Sequence, residues 1–313
     1  MNKSFRLKID SIGVHNILHF SHLAHDINFS IIPTLGCNLN GFCIKGQQIL
    51  ESANDINKIE KQSIKAFSGA QLFPFPNRIK NGKYSMKGQT YQLPINEPLT
   101  NNSLHGLIYN KTFELVSIDE YAGIIKLKYD YNRENNGYPF HVLIENSYQL
   151  SKNSLTIATT IENKSDHTIP VGHGWHPYFV VNNEINDAYL QIPATKYYLT
   201  GKQHIPTGEV ALDNSFLNAT KIGSIDIDKC FKIESNNDII AQLKYPNDDM
   251  TISLLTNGYP YLQVYIPPHR NSIALEPQTS IPDAFNNSIG CIYLEPNKSM
   301  DLKFQIKIDL ESW

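Results

Sequence analysis

Two alternating runs, Ile144-Glu-Asn-Ser-Tyr-Gln-Leu150 and Leu155-Thr-Ile-Ala-Thr-Thr-Ile161, flank the polar segment Ser151-Lys-Asn-Ser154. Apolar residues at every second position are the signature of half-buried strands, and the short polar break reads as the turn of a hairpin. The same pattern recurs outward from it. Residues 113–118 and 124–131 flank 119–123, residues 231–233 and 239–244 flank Ser235-Asn-Asn-Asp238, and residues 251–255 and 261–266 flank Asn257-Gly258. Consecutive antiparallel hairpins are expected. The run Leu302-Lys-Phe-Gln-Ile-Lys-Ile-Asp-Leu310 puts Lys303, Gln305, Lys307 and Asp309 on one face and apolar residues on the other, as in a strand with one solvated side.

Helical spacing is scarce. The one candidate covers 57–67, where Ile59, Ile64 and Phe67 share a face. No internal repeat, low-complexity tract or linker marks a boundary. The expectation is an all-β chain, a large antiparallel sandwich with long inserted loops and few short helices, forming one domain over residues 1–313.

Composition narrows the function. The 313 residues are 41% hydrophobic and 18% charged, enough apolar material for a packed core, and 27 Lys+Arg against 30 Asp+Glu leave a net charge of −3. That balance argues against a partner with a phosphate backbone. No stretch approaches the roughly 20 apolar residues of a membrane helix, and the start MNKSFRLKID lacks an apolar secretory core, so a cytoplasmic protein without a membrane partner is expected. Cys37, Cys43, Cys230 and Cys291 are widely spaced and read as reduced thiols. Phosphate loops, dinucleotide fingerprints, nucleophile elbows and H-E-x-x-H are all missing.

What remains are polar clusters in Pro- and Gly-rich settings. In Val171-Gly-His-Gly-Trp-His-Pro-Tyr-Phe179, His173 and His176 are three apart, so an extended chain sends them to opposite faces and a shared zinc site is not expected. His176 and Tyr178 then face one way, His173 and Trp175 the other. Glu276 interrupts the apolar run Ile273-Ala-Leu-Glu-Pro277, and desolvation there raises a carboxyl toward the range useful for proton transfer, unless Arg270 pairs with it. Arg78, one of four arginines, follows Pro76-Asn77; its planar donors suit sugar hydroxyls or a carboxylate, or tie the loop down. His105 lies in a Gly-containing loop.

In order along the chain, Pro76-Asn-Arg-Ile79 with Gly82-Lys-Tyr84 and Gly88-Gln-Thr-Tyr-Gln-Leu93, Leu104-His-Gly106, His176-Pro-Tyr-Phe179, Ile227-Asp-Lys-Cys-Phe231, and Leu275-Glu-Pro-Gln-Thr279 with Pro282-Asp-Ala-Phe285 resemble the aldose 1-epimerase (galactose mutarotase-like) family. The resemblance implies an antiparallel β-supersandwich with an open cleft that works on a small-molecule sugar, an aldohexose, without metal, nucleotide or other cofactor. It implies Glu276 as catalytic base and His176 as catalytic acid, with Arg78, His105 and Asp228 holding sugar hydroxyls. Asp226, two positions from Asp228, shares its strand face. Members acting on free galactose often carry Asn-x-Thr-Asn before the acid histidine. Here those positions read Gly172-His-Gly-Trp175, which leaves the hexose open.

The implied reaction interconverts α and β anomers: a base takes the anomeric hydroxyl proton, an acid protonates the ring oxygen, and the ring recloses on the other face of the carbonyl. Three alternatives are kept. A mutarotase of hexose 6-phosphates needs extra cations, for which Lys80, Lys83 and Arg270 are candidates. A non-catalytic carbohydrate-binding protein needs the cleft alone. A glycoside hydrolase needs a second carboxyl near Glu276, and the following loop offers only Asp283 in a turn-like context.

Overall fold

The 144–161 segment forms the neighbouring strands His141–Leu150 and Ser154–Asn163, registered so that Ile144 faces Ile161 and Tyr148 faces Ile157. A computed structural model describes residues 3–180, 185–234, 238–245 and 250–310. This pair lies within a nine-stranded antiparallel sheet. Its order runs from Glu114–Asp119 at one edge through Ile124–Asn132, His141–Leu150 and Ser154–Asn163 to Ser299–Leu310, then Met250–Asn257, Ile239–Tyr245, Tyr189–Gln191 and Thr220–Lys221. Ser299–Leu310 keeps the anticipated alternation, with Leu302, Phe304, Ile306 and Ile308 buried.

An eight-stranded sheet carries Ser272–Gln278 near its middle, between Tyr261–Tyr265 on one side and Gly174–Trp175 and Tyr178–Val180 on the other. Trp175 joins the two sheets, its ring meeting Tyr148 at 6.2 Å and Phe304 at 5.8 Å. A five-stranded sheet, beginning at Phe5–Ile12, adds Phe20, Phe29 and Phe42 to the same core. The all-β expectation holds. No helix among the described residues is long and apolar enough to cross a membrane.

Two expected hairpins do not form. Asp228–Lys232 pairs with Lys196–Thr200 and Tyr261–Tyr265, whereas Ile239–Tyr245 pairs with Tyr189–Gln191 and Met250–Asn257 in the other sheet. The intervening 235–237 lie outside the described residues. Likewise Asn257-Gly258 does not close a hairpin: Gly258, at φ +89°, crosses between sheets, and a Cβ there would meet Leu302 Cδ2 at 2.6 Å. Alternation identifies a strand but not its partner, because either sheet buries one face equally well.

The helix candidate is corrected in kind. Ile56–Lys58 is α-helical with Asp55 as its N-cap, and Ile59–Lys65 is a π-helix. The wider turn hydrogen-bonds residues five apart, which sets Ile59 and Ile64 on one face against Ile17, Ile32 and Leu35. Phe67 does not join them. It takes φ +56° and turns to His105 and Tyr109.

Candidate active site

Period-two alternation in Ser272–Gln278 sends Ala274, Glu276 and Gln278 to one face of the eight-stranded sheet. That face floors a cleft of about 1140 Å³, which Glu276 lines together with Arg78, His105, His176, Asp228 and Gln263. The five residues singled out by sequence thus converge from five separate chain segments.

His176 owes its position to backbone. Its N–H donates to the Ala70 carbonyl at 3.0 Å and its carbonyl accepts from Gly69 N–H at 2.8 Å. Gly69 must be glycine, since it sits at φ +72° with an added Cβ only 2.1 Å from the Leu39 carbonyl oxygen. The imidazole stacks on Tyr178 at 4.9 Å and brings Nε2 to 3.4 Å from Glu276 Oε1. Nδ1 has no hydrogen-bond partner among the described residues. His173 points away, fully buried, between Gln71 Nε2 at 2.8 Å and the Tyr259 hydroxyl at 3.0 Å, as the alternation requires.

Burial governs the electrostatics. It pushes the Glu276 carboxyl well above the carboxylate range, opposed by the hydrogen bond from Gln278 and the charge of Arg78 and reinforced by Asp228. It pushes His176 down to about 3. His105 is also held well below its ordinary value, first by burial and then by His176 and Arg78. Its Nδ1 accepts the Asn77 N–H at 3.2 Å, so the neutral ring carries its proton on Nε2.

Arg78 is oriented as well as charged. Nε and one terminal nitrogen grip Glu97 at 2.7–3.1 Å, and the other terminal nitrogen donates to Asn77 Oδ1 at 3.1 Å. Asn77 donates to Gln263 Oε1 at 3.4 Å, and Gln263 Nε2 donates to Asp228 Oδ1 at 2.7 Å. Arg78 thus ties Glu97 down and also lines the cleft. Asp228 lies on the strand beside Gln263, its side chain about half exposed at the cleft and its carboxyl raised chiefly by partial desolvation. Asp226 does not share that strand; it precedes Asp228–Lys232 and pairs with Arg270 at 2.9 Å. Arg270 is thus no partner for Glu276. Among the described residues no group of three or more His, Cys, Asp or Glu is arranged to hold a metal ion.

Residues 22–307 match the family model for aldose 1-epimerase. The chain belongs to the aldose 1-epimerase family. It is 33% identical over 249 residues to the uncharacterized protein YihR of Escherichia coli, covering 77% of this chain and 79% of that one. It is 27% identical over 203 residues to rat galactose mutarotase, spanning 61% of this chain and 57% of the rat protein. A galactose mutarotase-like protein from Clostridium acetobutylicum superposes with a TM-score of 0.88 at 25% identity, covering 99% of this chain and all of that one. The supersandwich anticipated from the family motifs is the fold observed.

Sequence reasoning missed Gln263, Asn77, Glu97 and Gln278. Gln263 had a usable signal: like Glu276, it is a polar residue inside an otherwise apolar strand run. Glu97 had none, because the hairpin of Lys83–Met86 and Gln89–Gln92 and the irregular residues after it separate it from Arg78.

Proposed function

We propose that this chain is a mutarotase that interconverts the α and β anomers of an aldohexose, with Glu276 and His176 as its proton-transfer pair. The observation that carries the reading is their 3.4 Å approach at the buried floor of a cleft lined by polar groups suited to sugar hydroxyls. Opening the hemiacetal needs one proton taken from the anomeric oxygen and one given to the ring oxygen. A pair that holds a single proton does both: Glu276 accepts from the anomeric hydroxyl, His176 donates to the ring oxygen, and closure reverses the roles. Carboxylate with imidazolium, and carboxylic acid with imidazole, differ only in where that proton sits. Burial favours the uncharged arrangement, while the Gln278 amide and Arg78 favour the charged one. Arg78, His105 through Nε2–H, and Asp228 are assigned to the sugar's hydroxyls.

The test is exchange NMR between the C1 protons of the two anomers, with catalytic protein and freshly dissolved aldoses. Accelerated exchange without a moved endpoint supports the reading. Sugar binding with exchange at the buffer rate makes the chain a carbohydrate-binding protein instead.

A second reading, a hexose bearing an anionic group such as a 6-phosphate, draws on the cleft rim. Lys80, Lys83 and Arg270 do not line the cleft, but Lys58, Lys61 and Lys65 do, from one side of the short helix and π-turn. Ammonium groups along one rim of a sugar site favour an anionic substituent, although Lys65 also pairs with Glu60 at 2.8 Å. Lower KM for 6-phosphates than for free hexoses, lost in Lys61→Ala or Lys65→Ala, distinguishes this substrate. Asp283 does not line the cleft and is occupied as scaffolding, accepting from Lys80 N–H at 2.9 Å and the Asn286 amide at 2.7 Å.

A further inference from the structure

Gln278 follows Glu276 by two residues on the same strand, so the two side chains leave the sheet on one face. Its Nε2 donates to Glu276 Oε2 at 2.9 Å, which leaves Oε1 as the carboxyl oxygen facing His176. The other end of the amide is anomalous. Gln278 Oε1 is fully buried and has no hydrogen-bond partner among the described residues, although burying an unpaired acceptor is unfavourable by roughly 1–3 kcal/mol. Space has been kept for this side chain. Gly174 lies opposite Gln278 in register, and a Cβ there would press on Gln278 Cγ at 3.2 Å and Pro76 Cβ at 3.1 Å.

We infer that Gln278 is a positioning residue for Glu276, its amide donating to the carboxylate and, after a half-turn of the amide, accepting from the carboxylic acid through Oε1. The inference rests on the mutarotase reading in one respect: ring opening and closure pass Glu276 through both protonation states. An ionised carboxyl only accepts hydrogen bonds, whereas a protonated one must also donate. An amide at this site serves either state without moving the backbone, but the ionised one more strongly, because a charged acceptor binds the N–H better than the neutral acid binds the carbonyl, and after the half-turn Nε2 takes the place without a partner. Methionine fills a similar volume with no strong donor. Glutamate keeps the shape but sets a second carboxyl against the first, which raises the proton affinity of the pair.

The experiment follows Glu276 by side-chain carboxyl 13C NMR in Glu-labelled protein, beside the pH profile of anomer exchange. In the unmodified protein the Gln278 side-chain amide shifts should follow the Glu276 titration. In Gln278→Met the titration should move up by about one unit, one limb of the kcat/KM profile should move with it, and kcat near neutral pH should fall about 10–100-fold while KM changes less than about threefold. Gln278→Glu should move the titration up further. Glu276 titrating at its original position in whichever variant folds, or wild-type amide shifts indifferent to that titration, overturns the inference. A titration that moves in a protein showing no anomer exchange keeps Gln278 as the partner of Glu276 and sinks the mutarotase reading instead.

Discussion

His176 Nε2 and Glu276 Oε1 stand 3.4 Å apart with both side chains almost wholly withdrawn from solvent. One reaches the site from a loop pinned to Gly69 and Ala70, the other from the middle of a sheet. Neither can be charged alone without a desolvation penalty, which makes them a unit in any titration.

Glu276→Gln keeps the shape and removes the proton acceptor. Turnover by exchange NMR should fall at least about 10²-fold while sugar affinity by calorimetry stays within a fewfold. A variant keeping more than half of wild-type turnover removes Glu276 from the mechanism.

The same substitution should stabilise the fold. The carboxyl's value is raised in the folded protein, so between the unfolded value near about 4.3 and that raised value the folded state binds more protons and loses stability as pH rises. Gln lacks this penalty. Its Tm at pH 7 should exceed wild type by a few degrees, and the gap should close near pH 4.

The pH dependence of kcat/KM should be bell-shaped, because the pair works only while it holds one proton. With His176 lowered to about 3 and Glu276 raised, the working window is wider than free imidazole and carboxyl groups would provide. In His176→Asn, assayed at high protein, one titrating group remains and the basic limb should vanish. Two intact limbs in that variant would assign the second proton to another residue.

Glu97 holds the Arg78 guanidinium along one edge, through Nε and one terminal nitrogen. Glu97→Gln should free that side chain, raising KM about five- to tenfold with kcat changed less than threefold. An unchanged KM would mean Arg78 needs no such anchor.

Gly69→Ala tests the backbone under His176. With φ +72° and a carbonyl oxygen 2.1 Å from the new methyl, it should destabilise by about 2 kcal/mol or more in urea melts and lower turnover as His176 shifts.

Where chemistry and periodicity coincided, the sequence was readable. Glu276 stood out as a carboxyl in an apolar run, and the three-residue offset of His173 and His176 correctly separated a cleft-facing ring from a core ring bonded to Gln71 and Tyr259. The hairpin expected around Ser151-Lys-Asn-Ser154 formed, because its polar break and flanking alternation are both local signals. What was hidden is long-range. Residues 251–255 and 261–266 look like hairpin arms, yet Gly258 steps between layers, and the room it leaves is for Leu302, a residue 44 positions on. The π-turn of 59–65 was similarly opaque, because Ile59 and Ile64 fit a helical stripe whichever turn width the chain adopts.

Ser299–Leu310 is inserted between Ser154–Asn163 and Met250–Asn257 at the middle of the nine-stranded sheet. Loops of about 150 and about 50 residues must close before this keystone can seat, and that entropy is spent ahead of any reward from burial. Until then the two flanking strands each present an unpaired ladder of amides and carbonyls with one apolar face. Refolding from urea should therefore be slow by the standards of small domains, and its yield should fall as protein concentration rises, since a neighbouring molecule's strand can occupy the same slot.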